Sequence, residues 1–172
     1  EGIARAVEID DPDVIVYLNL NLKVDAAFAV PGVRAVAAGE ADVAIGTRAS
    51  AEGGQALGRG LLGEAKSRGF NLLARALLPA LRPYADTNAP LKVLSRRAAG
   101  LLLEEARVPH VTLDCEWLVI FHAHRLRVQA YPVVWRQRDG SKIPWHVTGQ
   151  SLLDLIHLRR RAFNRSPTCS KP

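Results

Sequence analysis

Val14-Ile15-Val16-Tyr17-Leu18-Asn19-Leu20-Asn21 follows the turn formers Asp11-Pro12-Asp13. Five consecutive apolar residues, opened by a turn and closed by an amide, predict a strand. The run shows no polar alternation, so the expectation is a strand buried on both faces of a parallel sheet. A second short strand, Asp42-Val43-Ala44-Ile45-Gly46, follows a small predicted helix around Val33 to Gly39. Strand, helix and strand in that order predict an α/β layer fold.

Downstream, Ala49 to Gly63 is rich in glycine and small residues and is expected to be a mobile loop. Ser67 to Leu81 has helical spacing, with Phe70, Leu73, Leu77 and Leu81 on one stripe and Pro83 as the stop. Arg96 to Glu105 and Leu113 to His124 predict two further helices. Arg127 to Trp135 alternates as a half-exposed strand, and Pro132 places it near an edge or bulge. Gln150 to Phe163 predicts a closing amphipathic helix, and Ser166 to Pro172 a disordered tail. Upstream, Glu1 to Val7 reads as the middle of a helix and the chain contains no Met. The expectation is one partial domain over residues 1–165 whose N-terminal part, with any targeting signal, is missing.

The 172 residues suffice for one domain with a sizeable core. With 48% hydrophobic and 23% charged residues, the composition is that of a folded chain and not a disordered one. No apolar run approaches the roughly 20 residues needed to cross a bilayer. Cys115 and Cys169 lack metal-ligand spacing and are expected to be free thiols of a cytosolic protein. The net charge of +6 favours a polyanionic partner: a nucleotide or lipid phosphate, an anionic membrane or nucleic acid. No basic patch interleaved with aromatics supports nucleic acid, so none is expected as a partner.

In open α/β sheets, ligands bind beyond the carboxyl ends of the strands. Asn19-Leu20-Asn21 and Gly46-Thr47-Arg48 lie at two such ends, although polar residues there also serve as plain turn formers. Arg48 could pair with a phosphate. Asp86-Thr87-Asn88-Ala89-Pro90-Leu91-Lys92 combines a carboxylate, an amide and an ammonium in one turn, which suits a phosphate or sugar and equally a helix-ending loop. Asp114 and Glu116 stand in the first turn of a predicted helix, where capping is a sufficient explanation and general-base chemistry an alternative. Gly140-Ser141-Lys142 permits close backbone approach to an anion.

Taken in order, these segments, with Arg68 to Arg75 and Tyr131-Pro132-Val133-Val134-Trp135, resemble family 2 glycosyltransferases. The branch they resemble makes dolichyl- or polyprenyl-phosphate-linked glucose or mannose, and the likeness runs from Glu1 to about Arg161. It implies a GT-A (Rossmann-like) mixed sheet flanked by helices, without its first strands. It further implies inverting transfer of a hexose from a nucleotide-sugar of the UDP-glucose or GDP-mannose class to a lipid phosphate. In the resemblance, Asn19 and Asn21 occupy the Asp-X-Asp that holds Mg²⁺ or Mn²⁺. Arg48 matches the Gly-Ser-Arg arginine, and Asp86, Asn88 and Lys92 match the Asp-Thr-Gln-Cys-Gly-Phe-Lys motif. Asp114 and Glu116 match the acidic pair, and Ser141 and Lys142 the Gly-Ser-Lys loop near the acceptor phosphate. Asp86, Asp114 and Glu116 are thereby implied as catalytic, and Arg48, Asn88, Lys92, Ser141 and Lys142 as donor- or phosphate-binding.

Three departures accompany the resemblance. Neutral Asn19 and Asn21 are poor ligands for a hard divalent cation, which prefers carboxylate oxygens. Ala89-Pro90-Leu91 replaces Cys-Gly-Phe, and the Asp-Asp-Gly-Ser turn of the first strands is absent. The alternative is therefore a non-catalytic relative that keeps the fold to bind a phosphate-bearing ligand, a lipid or a partner protein. Leu152, Leu153, Leu155, Ile156 and Leu158 precede Arg159-Arg160-Arg161, a pattern that suits packing and also suits an anionic membrane surface. The implied location is cytoplasmic, peripheral at the membrane face.

Overall fold

A computed structural model describes residues 2–10, 12–18, 24–48, 55–57, 61–108, 112–136 and 145–164. Its elements are α1 (Gly2–Asp10), β1 (Val14–Leu18), α2 (Ala29–Ala37), β2 (Val43–Thr47), β3 (Gln55–Leu57) and α3 (Leu61–Leu77). They continue as β4 (Leu91–Ser95), α4 (Arg96–Glu105), α5 (Leu113–Ala123), β5 (Val128–Pro132), β6 (Val134–Arg136) and α6 (Trp145–Asn164). The main sheet has four strands in the order β1-β4-β2-β5. β4 runs antiparallel to both β1 and β2, whereas β5 runs parallel to β2. β3 and β6 form a separate parallel pair. The architecture is thus α/β, a mixed open sheet flanked by helices.

Strand alternation builds the two sides of the core. Val43, Ile45 and Leu94 face a cluster with Ala74, Leu78 and Leu81, the helical residues Ala98, Leu102, Leu118 and Phe121, and Leu155 and Leu158 of α6. Ala44, Leu91 and Val93 face the other side, where Ala35 and Val36 of α2 join Val133 and Trp135. α2 approaches the sheet closely at Gly32, where an added Cβ would lie 2.9 Å from the Ala44 Cβ. At Gly46 an added Cβ would lie 2.7 Å from Val133, so the chain after β5 can press onto the end of β2. β4 passes directly into α4 because Ser95 caps the helix, its hydroxyl accepting the Ala98 N–H at 3.2 Å.

Several sequence expectations are corrected. β1 is antiparallel to its neighbour and stands at one end of the sheet, with Ile15 buried and Val16 exposed. Its apolar run reflects β-propensity and not burial on both faces. The stretch 49–63 contains β3 and the start of α3, with the rest outside the described residues. α3 starts at Leu61 and ends at Leu77, before Pro79, whose ring opens a separate 3₁₀ turn over Pro79–Leu81. Leu73 is exposed, and the buried positions of that segment are Ala74, Leu78 and Leu81. α2 begins at Ala29, four residues before the expected helix. The Arg127–Trp135 strand is divided at Val133, and Pro132 closes β5 at the opposite end of the sheet from β1. The tail at 166–172 lies outside the described residues. No helix among those residues is long and apolar enough to cross a membrane.

Candidate active site

β1, β2 and β5 are mutually parallel, so their carboxyl ends meet at one edge of the sheet, together with the start of antiparallel β4. Pairing of Tyr17 with Lys92, Leu18 with Leu91 and Gly46 with Leu91 fixes that convergence. Arg48 just after β2, the Asp86–Lys92 turn before and into β4, and Asp114 in the first turn of α5 are thereby brought together. Asn19 and Asn21 follow β1 directly in sequence but lie outside the described residues, as do Ser141 and Lys142.

The core of the site is two ion pairs. Arg48 donates from Nε to Asp86 Oδ2 at 2.8 Å and from Nη2 to Asp86 Oδ1 at 2.7 Å, a bidentate fork. Nη2 also donates to the Asn88 carbonyl at 2.9 Å, and the backbone N–H of Arg48 and of Asn88 both donate to the same carboxylate. Burial pushes the Asp86 carboxyl up, but the hydrogen bonds and charge of Arg48, with those N–H groups, hold it below its ordinary value. The guanidinium of Arg48 lies 5.8 Å from the Trp135 ring centre, within cation–π range. Burial alone would lower the Arg48 pKa, and the Asp86 carboxylate raises it past that loss.

Lys92 forms the second pair. Its side chain is fully buried, and Nζ donates to Asp114 Oδ1 and to the Ala89 carbonyl, both at 2.6 Å. Tyr17 and Trp117 stand around the ammonium, each ring centre 5.6 Å away, and pack on each other edge to face at 5.0 Å. Burial, and next the Asp114 charge, push the Tyr17 phenol up. Carboxylate, carbonyl and two aromatic rings stand where burial has removed water from Nζ. The Asp114 side chain remains 22% exposed. It is the carboxylate of the two pairs that solvent, and hence a ligand, can reach.

The turn between the pairs is fastened from outside. Asn71 of α3 accepts both the N–H and the hydroxyl of Thr87, at 2.9 and 2.6 Å, and the Cys115 thiol donates to the Thr87 carbonyl at 3.7 Å. Burial pushes the Cys115 thiol up to about 12, so it stays protonated.

Glu116 points elsewhere. Its buried Oε2 accepts the N–H groups of Arg107 and Val108 at 2.9 and 2.8 Å, and its Oε1 accepts Arg161 Nη1 of α6 at 2.7 Å. Asp114 and Glu116, two residues apart in the motif, thus serve different neighbourhoods: one the sheet edge, the other the α4–α5 connection and α6. Tyr17, Asn71, Cys115, Trp117 and Trp135 were not singled out as site residues from sequence. Their signal was proximity in the chain: each stands within a segment quoted for the resemblance or beside one.

Among the described residues no group of three or more His, Cys, Asp or Glu side chains could hold a metal ion. Asp86 and Asp114 are both engaged by protein cations. The neutral amides Asn19 and Asn21 remain a donor set that fits Mg²⁺ or Mn²⁺ poorly.

No protein-family model matches the chain. Among curated proteins, it is 27% identical over 116 residues to a dolichyl-phosphate beta-glucosyltransferase, ALG5C, of Trichomonas vaginalis. That alignment covers 67% of this chain and 34% of the relative. It is 28% identical over 142 residues to the glycosyltransferase AglD of Haloferax volcanii, covering 83% of this chain and 22% of that protein. The chain therefore spans about a third of the length of one relative and less than a quarter of the other. Over most of its own length it is similar to glycosyltransferases.

Proposed function

We propose that this chain is the glycosyltransferase domain, of family 2 and GT-A type, that passes a hexose from a nucleotide-sugar to a polyprenyl phosphate. The observation that carries it is the convergence of Arg48–Asp86 and Lys92–Asp114 on the edge where β1, β2 and β5 end. The similarity to a dolichyl-phosphate glucosyltransferase supports the same acceptor class. In the reaction an oxygen of the lipid phosphate attacks the anomeric carbon, a new C–O bond forms there, and the bond to the nucleoside diphosphate breaks with its electron pair leaving on the diphosphate. In-line displacement inverts the configuration. The phosphate is already a nucleophile, so orientation and charge neutralisation carry the rate.

Asp114 is the carboxylate that receives a sugar hydroxyl, with Lys92 as a positioning residue that acts through it. Arg48 and Asn88 border the donor phosphates, and Asp86 positions Arg48. Glu116 positions the α4–α5 connection. Ser141 and Lys142 are assigned to the acceptor phosphate by the resemblance.

The same two pairs favour a second reading. Each cation is already neutralised, and Asn19 and Asn21 contribute no charge, so a non-catalytic relative that binds a phosphate-bearing ligand accounts for them too. Calorimetry with UDP-glucose and GDP-mannose, with and without Mn²⁺, separates the two. Binding of either nucleotide-sugar followed by transfer to a polyprenyl phosphate is the expected result; binding without transfer selects the second reading, and no binding in any condition removes the transferase. Asn19→Asp with Asn21→Asp is expected to make binding metal-dependent.

A further inference from the structure

The corner around Lys92 holds more hydrogen-bond donors than it uses. Tyr17 pairs with Lys92 across β1 and β4, which sets its ring beside the ammonium where the strands end. Its side chain is half-buried, and among the described residues its phenol makes no hydrogen bond. Trp117, three residues after Asp114 on α5, backs that ring edge to face, the centres 5.0 Å apart. The indole N–H of Trp117 is buried and likewise finds no acceptor among the described residues. A buried donor left so costs free energy and is uncommon, and here it lies against a second donor that also lacks a partner. The corner is short of an oxygen.

The surroundings decide whose oxygen it is. Lys92 already has Asp114 at 2.6 Å, so its charge is cancelled and a phosphate gains little by coming here. What is left for a ligand is a neutral phenol, the partly exposed carboxylate of Asp114 and an aromatic ring. A hexose matches that set, because its hydroxyls both donate and accept and its C–H surface is apolar. Burial, and next the Asp114 charge, push the Tyr17 phenol up, so it keeps its proton at neutral pH and can donate. We propose that Tyr17 is a specificity-determining residue: its phenol donates to a hydroxyl of the transferred hexose while Asp114 accepts from the same sugar. The proposal rests on the transferase reading and adds to it the side chain that distinguishes sugar from phosphate. Neither the nucleoside diphosphate nor the lipid phosphate touches Tyr17.

Calorimetry of the 172-residue chain with UDP-glucose, GDP-mannose, UDP and GDP tests it. Tyr17→Phe keeps the ring beside Lys92 and removes only the phenol oxygen. Binding of the nucleotide-sugar is expected to weaken about fivefold, the worth of one neutral hydrogen bond, while UDP and GDP bind as before. In transfer, KM for the nucleotide-sugar rises and KM for the polyprenyl phosphate does not. Monodeoxy forms of the same nucleotide-sugar close a cycle: the form without the contacted hydroxyl binds the native chain and Tyr17→Phe alike. Equal binding of the nucleotide-sugar by both chains, an equal loss for UDP and GDP, or a penalty that persists with every monodeoxy form would overturn the proposal. Each of those results leaves the transferase reading standing. A native chain that binds no nucleotide-sugar at all sinks that reading and this inference with it.

Discussion

The Lys92 ammonium lies 2.6 Å from the Asp114 carboxylate, with the lysine side chain fully buried and the aspartate at the rim. Removing one partner of such a pair leaves the other uncompensated. Lys92→Met is therefore expected to lower stability by about 3 kcal/mol. Lys92→Met combined with Asp114→Leu is expected to recover much of that loss, because no lone charge remains. Urea unfolding of the three variants measures the coupling.

Asp86 contributes to the acid limb of stability. Its carboxyl is held below the ordinary value in the folded protein, chiefly by Arg48 acting against burial. The folded state therefore binds fewer protons than the unfolded chain near pH 4. The stabilisation is fully present above the unfolded pKa and is lost as pH falls through the folded one. Asp86→Asn is expected to be less stable at neutral pH by about 3 kcal/mol and to lose less on acidification. Asp42 is shifted in the same direction by its hydrogen bond to Arg127, but that arginine is more than half exposed. Asp42→Asn is expected to alter the acid limb far less. Urea midpoints between about pH 3 and pH 7 decide it.

Glu116 ties three segments at one carboxylate. Glu116→Ala is expected to destabilise by about 3 kcal/mol, since two N–H groups and a guanidinium lose their acceptor. Hydrogen exchange at the Arg107 and Val108 amides is expected to accelerate beyond the global change. Unaltered exchange there would remove the tie.

Cys115 is buried with its thiol pushed up to about 12. Alkylation of the native protein near pH 8 is expected to spare it, and alkylation in denaturant to modify it. Peptide mapping reads both.

The helices α4 and α5 were legible almost to the residue, because their apolar residues are the ones the tertiary packing buries: Ala98, Ala99 and Leu102 in α4, and Cys115, Trp117, Leu118, Ile120 and Phe121 in α5. β2 was legible for the same kind of reason, as all five of its residues are buried. β1 misled: a continuous apolar run reports propensity for extended backbone and cannot report which neighbour pairs with it. β3, three residues long, left no periodicity to detect, and its partner β6 lies far along the chain. In α3 the expected stripe ran past Pro79, although the ring had already ended the helix.

Within the site, the resemblance, resting on the order of the motifs, named Arg48, Asp86, Lys92 and Asp114 as candidates and showed amides where it wants carboxylates. It could not say that Asp86 pairs with Arg48 across 38 residues or Lys92 with Asp114 across 22. Nor could it separate Asp114 from Glu116, two residues apart on one helix, of which one reaches the sheet edge and the other the interior behind it. Propensity and spacing act between near neighbours in the chain, and they set the elements and the order of the motifs. Which charges cancel, which stay within reach of a ligand and which face of α6 meets solvent depend on contacts between distant segments, and those exist only once the sheet has brought its strand ends together.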